Sequence, residues 1–263
     1  MTRVGGSVRR VLAGEHLAAA AGWGVAEIVV DSWDPEASED RETLAAAASR
    51  TAIVLHCLSL SPLGDAPRPG SVERARAWCD ALGIDGVTDH FAWVGAGESW
   101  PGVFLPPIPA QGDLCARIER LRDRLGRELG LENVFVGARD PAVARHYHES
   151  FADVVRRTGA GLLLDLENIR LDAVVAGIAP RDLLTLYEGL HPLAYHVAGS
   201  RTRAAGGFAL DTHDGAVPDL TLALAREALS FSAAPVIYEL DVGIVSGAVE
   251  VEVDRLRTLL EAP

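Results

Sequence analysis

A single (β/α)8 barrel over residues 1–263 is the fold this sequence predicts, and three observations predict it. Short apolar runs that read as strands alternate with helical stretches from end to end, as in an α/β fold with a parallel sheet. The length of 263 residues suits one barrel, which typically takes about 250. Seven times, moreover, a strand-like segment or its following loop delivers a histidine or carboxylate: His56, His90, Glu132, Asp165, His196, the triplet Asp211-Thr212-His213, and Glu239. From His56 the steps along the strand ends are 34, 42, 33, 31 and 43 residues. Each is one βα unit of roughly 30 residues plus a loop of variable length, and barrels draw their reactive groups from the C-terminal ends of different strands.

The elements follow in order. A weak first strand lies near 4–8, then AEIVV ending near Asp31, AIVLH ending at His56, and GVTDH ending at His90. A short piece at 129–132, GLLLDL, LAYHV and PVIYEL complete eight strands. Helices are expected over 15–21, 42–49, 72–82, 112–125, 141–157, 181–188, 220–229 and 249–260, the last closing the barrel. Two connections exceed plain turns. Residues 95–112 are rich in Gly and Pro, and 199–218 carry Asp211 and His213. Long ordered loops in compact domains are frequently binding loops or lids, so both are candidates for substrate contact, with Trp93 and Trp100 flanking the first.

Composition narrows the function. Hydrophobic residues at 49% and charged residues at 23% are ordinary for a globular chain. Thirty-seven acidic residues against 24 basic ones give a net charge of −13, and phosphate neutralisation needs clustered cations, so no nucleic-acid partner is expected. All the cations are arginines; the chain has no lysine. Three scattered cysteines, Cys57, Cys79 and Cys115, suggest no disulfide framework and a reducing compartment. The N-terminal segment leads into no apolar signal core, and no apolar run approaches a membrane span. A cytoplasmic protein with no membrane partner is the expectation.

Histidine nitrogen with carboxylate oxygen suits Fe, Mn, Zn or Co, whereas calcium or magnesium sites would be mostly oxygen. His56, His90, His196 and His213 with Glu132, Asp165, Asp211 and Glu239 exceed what one ion needs. Two or three ions bridged by carboxylates is the natural reading. Asn168, three residues past Asp165, can add a carbonyl oxygen from the same loop, and an extended Asp211-Thr212-His213 would aim both polar side chains to one side. A lone His or Asp at a strand end is more often a cap or a satisfied core group. Their joint occurrence at barrel-unit spacing is what marks these residues. His16, His146, His148 and His191 lack that spacing and read as structural, and alternation turns Cys57 away from the site.

With the segments LHCLSLSP, TDHFAW, FLPPIP, LEN, TGAGLLLDLENI, YHVAGS, GGFALDTHDGAVPD and VIYELD in hand, the chain resembles the multinuclear non-haem iron-dependent oxidative enzymes, the DUF692 family, from about residue 53 to 241. The resemblance implies a TIM barrel holding two or three Fe(II)/Fe(III) ions, with O2 as co-substrate. It implies oxidation of cysteine residues in a ribosomally synthesised precursor peptide, with a small leader-peptide-binding partner protein. Carried over by motif, His56, His90, Glu132, Asp165, Asn168, His196, Asp211, His213 and Glu239 form the iron set, and His56, His90, Glu132, Asp211 and Glu239 are expected to carry catalysis. This chain departs from the family pattern at Cys57, Asp89, Glu167, Ser200 and Asp31-Ser32-Trp33, and these changes are expected on the active face, where they bear on substrate and product.

Two other readings compete. A divalent-metal barrel of the sugar isomerase or endonuclease IV type uses a similar rim; such isomerases usually place a lysine near the metal, and a nuclease should present a basic face. A degenerate barrel that only binds a peptide would be expected to have lost ligands.

Overall fold

The computed structural model describes residues 2–8, 10, 13–64, 66–94, 105–107, 113–200, 211–241 and 247–261. Eight parallel strands close into a barrel in chain order: β1 (Val4–Val8), β2 (Val25–Val29), β3 (Ala52–His56), β4 (Gly86–His90), β5 (Glu128–Glu132), β6 (Gly161–Asp165), β7 (Ala194–Ala198) and β8 (Val236–Glu239). Strand β1 pairs with both β2 and β8, which completes the ring. Around it run α1 (Ala13–Ala20), α2 (Ser38–Ala48), α3 (Ser71–Leu82), α4 (Leu114–Leu125), α5 (Pro141–Thr158), α6 (Leu166–Ala176), α7 (Pro180–Leu184), α8 (Asp219–Phe231) and α9 (Ala248–Glu261). Among the described residues no helix is long and apolar enough to cross a membrane.

Period-two alternation sends every second strand residue into the barrel. Val25, Val54, Leu163, Ala194 and Ile237 meet there as a small apolar cluster separate from the main core between strands and helices. Two residues further along the same five strands stand Glu27, His56, Asp165, His196 and Glu239. A polar layer therefore sits directly on an apolar floor, formed by the last residues of β3, β6 and β8 and the middle residues of β2 and β7, because each strand keeps its inward phase for one more step.

Helix α5 shows how the outer ring is specified. Asp140 accepts a hydrogen bond from Ala142 N (2.9 Å), Pro141 opens the first turn, and Gly159 ends the helix at φ 63°. Its buried residues Ala144, Tyr147, His148, Phe151, Ala152, Val154 and Val155 form one apolar stripe. His148 lies on that stripe, bonded through Nδ1 to Tyr187 Oη (2.6 Å) and through Nε2 to Asp172 Oδ2 (3.1 Å), while His146 faces solvent. His16 is buried in α1 and His191 is exposed.

Two helical expectations need correction. The stretch after β6, read as a loop, is helix α6, starting at Leu166 with Asp165 as its N-cap; hence Asn168 projects from a first helical turn. The helix expected over 181–188 is only α7 followed by a 3-10 turn at Thr185–Tyr187. The missed helix has little amphipathic periodicity because nine of its eleven residues are buried, polar ones included. Strand-like leucines preceding it concealed its start.

Candidate metal centre

Donor atoms from six strands and two loops converge above the apolar floor. The His56 and His90 rings, at the ends of β3 and β4, lie 4.9 Å apart between centroids. Each points Nε2 at Glu132 Oε2, 3.6 Å away in both cases. The other Glu132 oxygen, Oε1, is 2.9 Å from His196 Nδ1, which also faces Glu239 Oε2 at 3.3 Å. Glu239 Oε2 in turn lies 3.2 Å from His213 Nδ1, as does Asp241 Oδ2. Three groups result: His56, His90 and Glu132; Glu132, Asp165, His196 and Glu239; and His213, Glu239 and Asp241. Within each, one ligating atom per residue lies within 4.8 Å of the others, so each could hold a metal ion. Glu132 belongs to the first two and Glu239 to the last two, which makes the three compartments one connected chain.

The local fold positions each donor. Asp165 uses Oδ1 to cap α6 by accepting from Asn168 N (2.6 Å), which leaves Oδ2 aimed elsewhere. Asn133 locks that corner, donating from Nδ2 to Asp165 O (2.9 Å) and accepting from Asp165 N (2.8 Å). Asn168 Nδ2 donates to Asn133 O (3.2 Å), turning its Oδ1 the other way. The Asp211-Thr212-His213 triplet is not extended as expected: His213 takes φ 42°, an uncommon left-handed value for a residue with a side chain. Asp241 N donates to His213 O (2.8 Å) and Asp214 N to Gly199 O (2.8 Å), so the turn is tied to the ends of β8 and β7. Asp211 still reaches the histidine, with Oδ1 2.6 Å from Nε2. Strain of this kind at a single residue is maintained by its surroundings and concentrates at functional sites.

Seven of the nine expected residues thus enter the linked groups, Asp211 contacts His213 from outside them, and Asn168 stands beside Asp165. Two residues escaped the sequence reading. Glu27 lies inside β2, its Oε2 2.6 Å from His196 Nε2; a carboxylate in the middle of an apolar strand was the available signal. Asp241, two residues past Glu239, was hidden among the acids of the chain. Of the loops expected to touch substrate, Trp93 pairs with Leu105 across a short antiparallel bridge; Trp100 and most of 95–112, like 201–210, lie outside the described residues.

The departures from the family pattern divide. Asp31 accepts from Leu58 N (2.6 Å) and from Ser59 Oγ, Asp89 from Leu60 N (2.7 Å) and His90 N (2.6 Å), and Ser200 Oγ from Thr212 N (3.3 Å), all shaping loops around the centre. Cys57 does not face it, as strand alternation predicts, and neither does Glu167, which was expected on the active face. Cys57 packs in the outer core, and Glu167 binds Arg170 and Thr221 between α6 and α8.

Electrostatics follow from burying so many charges. Burial works to raise the Glu132 carboxyl, but the His196, His90 and His56 rings outweigh it and hold it at about 2. Burial disfavours the charged His90 ring, yet Glu132 and Asp89 push it up to about 9. Glu239 is held well below the carboxylate range against burial, by His213 and His196, and those two rings are raised well above the usual imidazole value. Asp165 goes the other way: burial and the nearby Asp211 charge push it well up. Moreover, the buried oxygens Glu132 Oε2, Asp165 Oδ2 and Asn168 Oδ1 have no hydrogen-bond partner among the described residues. Each such atom costs roughly 1–3 kcal/mol if left unsatisfied. Their convergence with imidazole nitrogens is the donor set a first-row transition metal takes, so the residues fit such ions.

The family model for the RiPP precursor modification enzymes MbnB/TglH/ChrH matches residues 3–261. A UPF0276 protein of Caulobacter vibrioides is 31% identical over 206 residues, 75% of this chain and 71% of the relative. One from Streptomyces avermitilis is 30% identical over 224 residues, 80% of this chain but 45% of that longer relative. Among solved structures, an L-ribulose 3-epimerase superposes with TM-score 0.62 at 15% identity, covering 99% of this chain and 95% of that one. D-psicose 3-epimerase from Clostridium cellulolyticum H10 gives 0.58 at 11% identity, covering 99% and 100%. At such identities these structures share the barrel and nothing further is carried from them.

Proposed function

The chain belongs to the family of RiPP precursor modification enzymes MbnB/TglH/ChrH, and on that premise we propose that it is a multinuclear iron enzyme that uses dioxygen to oxidise a cysteine of a ribosomally synthesised precursor peptide. The observation that carries the reading is the pair of shared carboxylates, Glu132 and Glu239, linking three histidine-containing groups at the strand ends. Glu132 turns one oxygen toward each of its two groups, and Glu239 turns Oε2 toward both His196 and His213; shared carboxylates suit adjacent ions in a way that isolated mononuclear sites do not require.

Bound there, iron would supply one-electron chemistry and adjacent positions for a substrate thiolate and for dioxygen. The protein's part is geometry. Thr88 Oγ1 donates to Leu55 O (3.2 Å) and lies 2.8 Å from His56 Nδ1; it therefore accepts that ring's N–H and leaves Nε2 as the lone pair facing Glu132. Asp89 Oδ1 stands 3.5 Å from His90 Nδ1, on the side away from Glu132. Asp165, capping α6, and His213, held in its left-handed turn, fix the remaining donors on regular elements or tied loops. Holding two reactants in one orientation is worth several kcal/mol of a barrier, and a closed barrel supplies it because no strand end can move alone.

His56, His90, Glu132, Asp165, Asn168, His196, Asp211, His213 and Glu239 are the ligand set of this reading, with Asp241 as a further donor beside His213. The peptide enters over the C-terminal face, and a small partner protein captures its leader. Metal content with Mössbauer and EPR spectroscopy on anaerobically purified protein tests the reading, in wild type and His213→Ala. Two or three irons per chain with a coupled signal, diminished in the variant, support it; zinc or manganese alone, with no iron taken up on reconstitution, sinks it in favour of an isomerase or hydrolase. A precursor peptide with Ser in place of the modified Cys should not turn over.

A further inference from the structure

We propose that Glu27 is a positioning residue that makes Nδ1, not Nε2, the metal-binding nitrogen of His196; this rests on the metal-centre reading above. Glu27 is the middle residue of β2, fully buried, two positions along from the floor residue Val25. An inward position there, flanked by the inward valines Val25 and Val29, would ordinarily be apolar. A buried carboxylate is costly unless it is paired and hydrogen-bonded. Its one close partner among the described residues is His196: Oε2 lies 2.6 Å from Nε2, and Oε1 has no hydrogen-bond partner.

The ring's two nitrogens face different neighbours. Nδ1 looks toward Glu132 Oε1 at 2.9 Å and Glu239 Oε2 at 3.3 Å, inside the group that also contains Asp165. Nε2 looks down at Glu27. A neutral imidazole carries one N–H and one lone pair. With the proton on Nδ1, the Nε2 lone pair would oppose a carboxylate oxygen at hydrogen-bond distance, and no lone pair would face the donor group. With the proton on Nε2, it is donated to Glu27 and the Nδ1 lone pair points among Glu132, Asp165 and Glu239. Glu27 thus selects the second tautomer and makes Nδ1 a stronger donor, as carboxylates behind metal-bound imidazoles do. Thr88 performs the mirror-image selection on His56, where Nδ1 is occupied and Nε2 is left open. The two rings, 5.9 Å apart between centroids, therefore present opposite nitrogens to Glu132.

The test is anaerobic titration of chelator-stripped full-length chain with Fe(II) alone, for wild type, Glu27→Gln and Glu27→Leu, with circular dichroism and thermal unfolding of each metal-free protein as controls. Removing such a partner typically weakens metal affinity about 10- to 100-fold. That loss is expected in Glu27→Leu for one ion per chain, without a lowered unfolding midpoint. Glu27→Gln, whose amide oxygen can still accept from Nε2, should retain most of the affinity. In wild type loaded with diamagnetic Zn(II), nitrogen NMR of the labelled ring should show Nε2 protonated and Nδ1 bound, a readout that needs no variant to fold. Wild-type affinity and ion count in Glu27→Leu, an equal loss in Glu27→Gln, or a metal-bound Nε2 would each overturn the assignment while leaving the metal centre standing. Failure of the wild type to bind any ion would remove the centre and the assignment together.

Discussion

Replacing Glu132 with Gln changes one oxygen to an amide nitrogen at nearly constant volume, so the effect isolates charge and ligation from packing. In the metal-free protein Glu132 is fully buried, and the imidazoles of His196, His90 and His56 hold it at about 2 against an ordinary 4.5. That difference is worth about 3 kcal/mol at neutral pH. For a chain of 263 residues, an unfolding entropy of roughly 2 cal/mol/K per residue converts 3 kcal/mol into a fall of about 6 °C in the unfolding midpoint. With metal present the consequence is larger, because Glu132 belongs to two of the three donor groups and only the His213 group keeps its full set. Calorimetry of the stripped variant and anaerobic Fe(II) titration measure both effects. We expect the lower midpoint and uptake of no more than one tightly held ion. A variant that loads as many ions as wild type, with an unchanged midpoint, would refute the role of Glu132 as the shared carboxylate.

Other perturbations address the surroundings of the centre. Gly199→Ala would drive a methyl into the Gly215 and Ala216 carbonyl oxygens where the loop carrying His213 returns to β7; ion titration should show the His213 group weakened about tenfold or more, with the circular dichroism spectrum retained. In the metal-free protein the His90–Glu132 pair should make stability depend on pH in two limbs. His90, raised from 6.5 to about 9, contributes below 6.5 and loses its contribution as pH rises through 9. Glu132, lowered from 4.5 to about 2, contributes above 4.5 and loses it as pH falls toward 2. Urea unfolding of stripped protein should therefore show the combined contribution of the two groups greatest between pH 4.5 and 6.5. Burial pushes the Cys57 thiol well up and Cys79 to about 11, so iodoacetamide at pH 8 should leave both unmodified in the folded chain and label both in urea; rapid native labelling would contradict the packing described.

Period and spacing are local properties, and that is why the barrel and the residues His56, His90, Glu132, Asp165, His196 and Glu239 were legible in the amino-acid sequence. A strand's alternation is written in its own residues, and an inward histidine at a strand end announces itself without knowledge of its neighbours. The same reasoning failed where identity depends on what packs against a segment. Helix α6 is buried on most sides, so it lacked the amphipathic period that would have revealed it, and His213 entered its left-handed turn because Asp241 and Gly199 tie its loop from two strands. Only the closed ring could decide that Glu132 and Glu239 are shared, that Asp241 stands beside His213, and that Glu27 lies behind His196, 169 residues away in the chain. Which strands become neighbours, and how far each is staggered against the next, is set by closing eight of them at once. A distance of a few ångströms between their ends exists only after that closure.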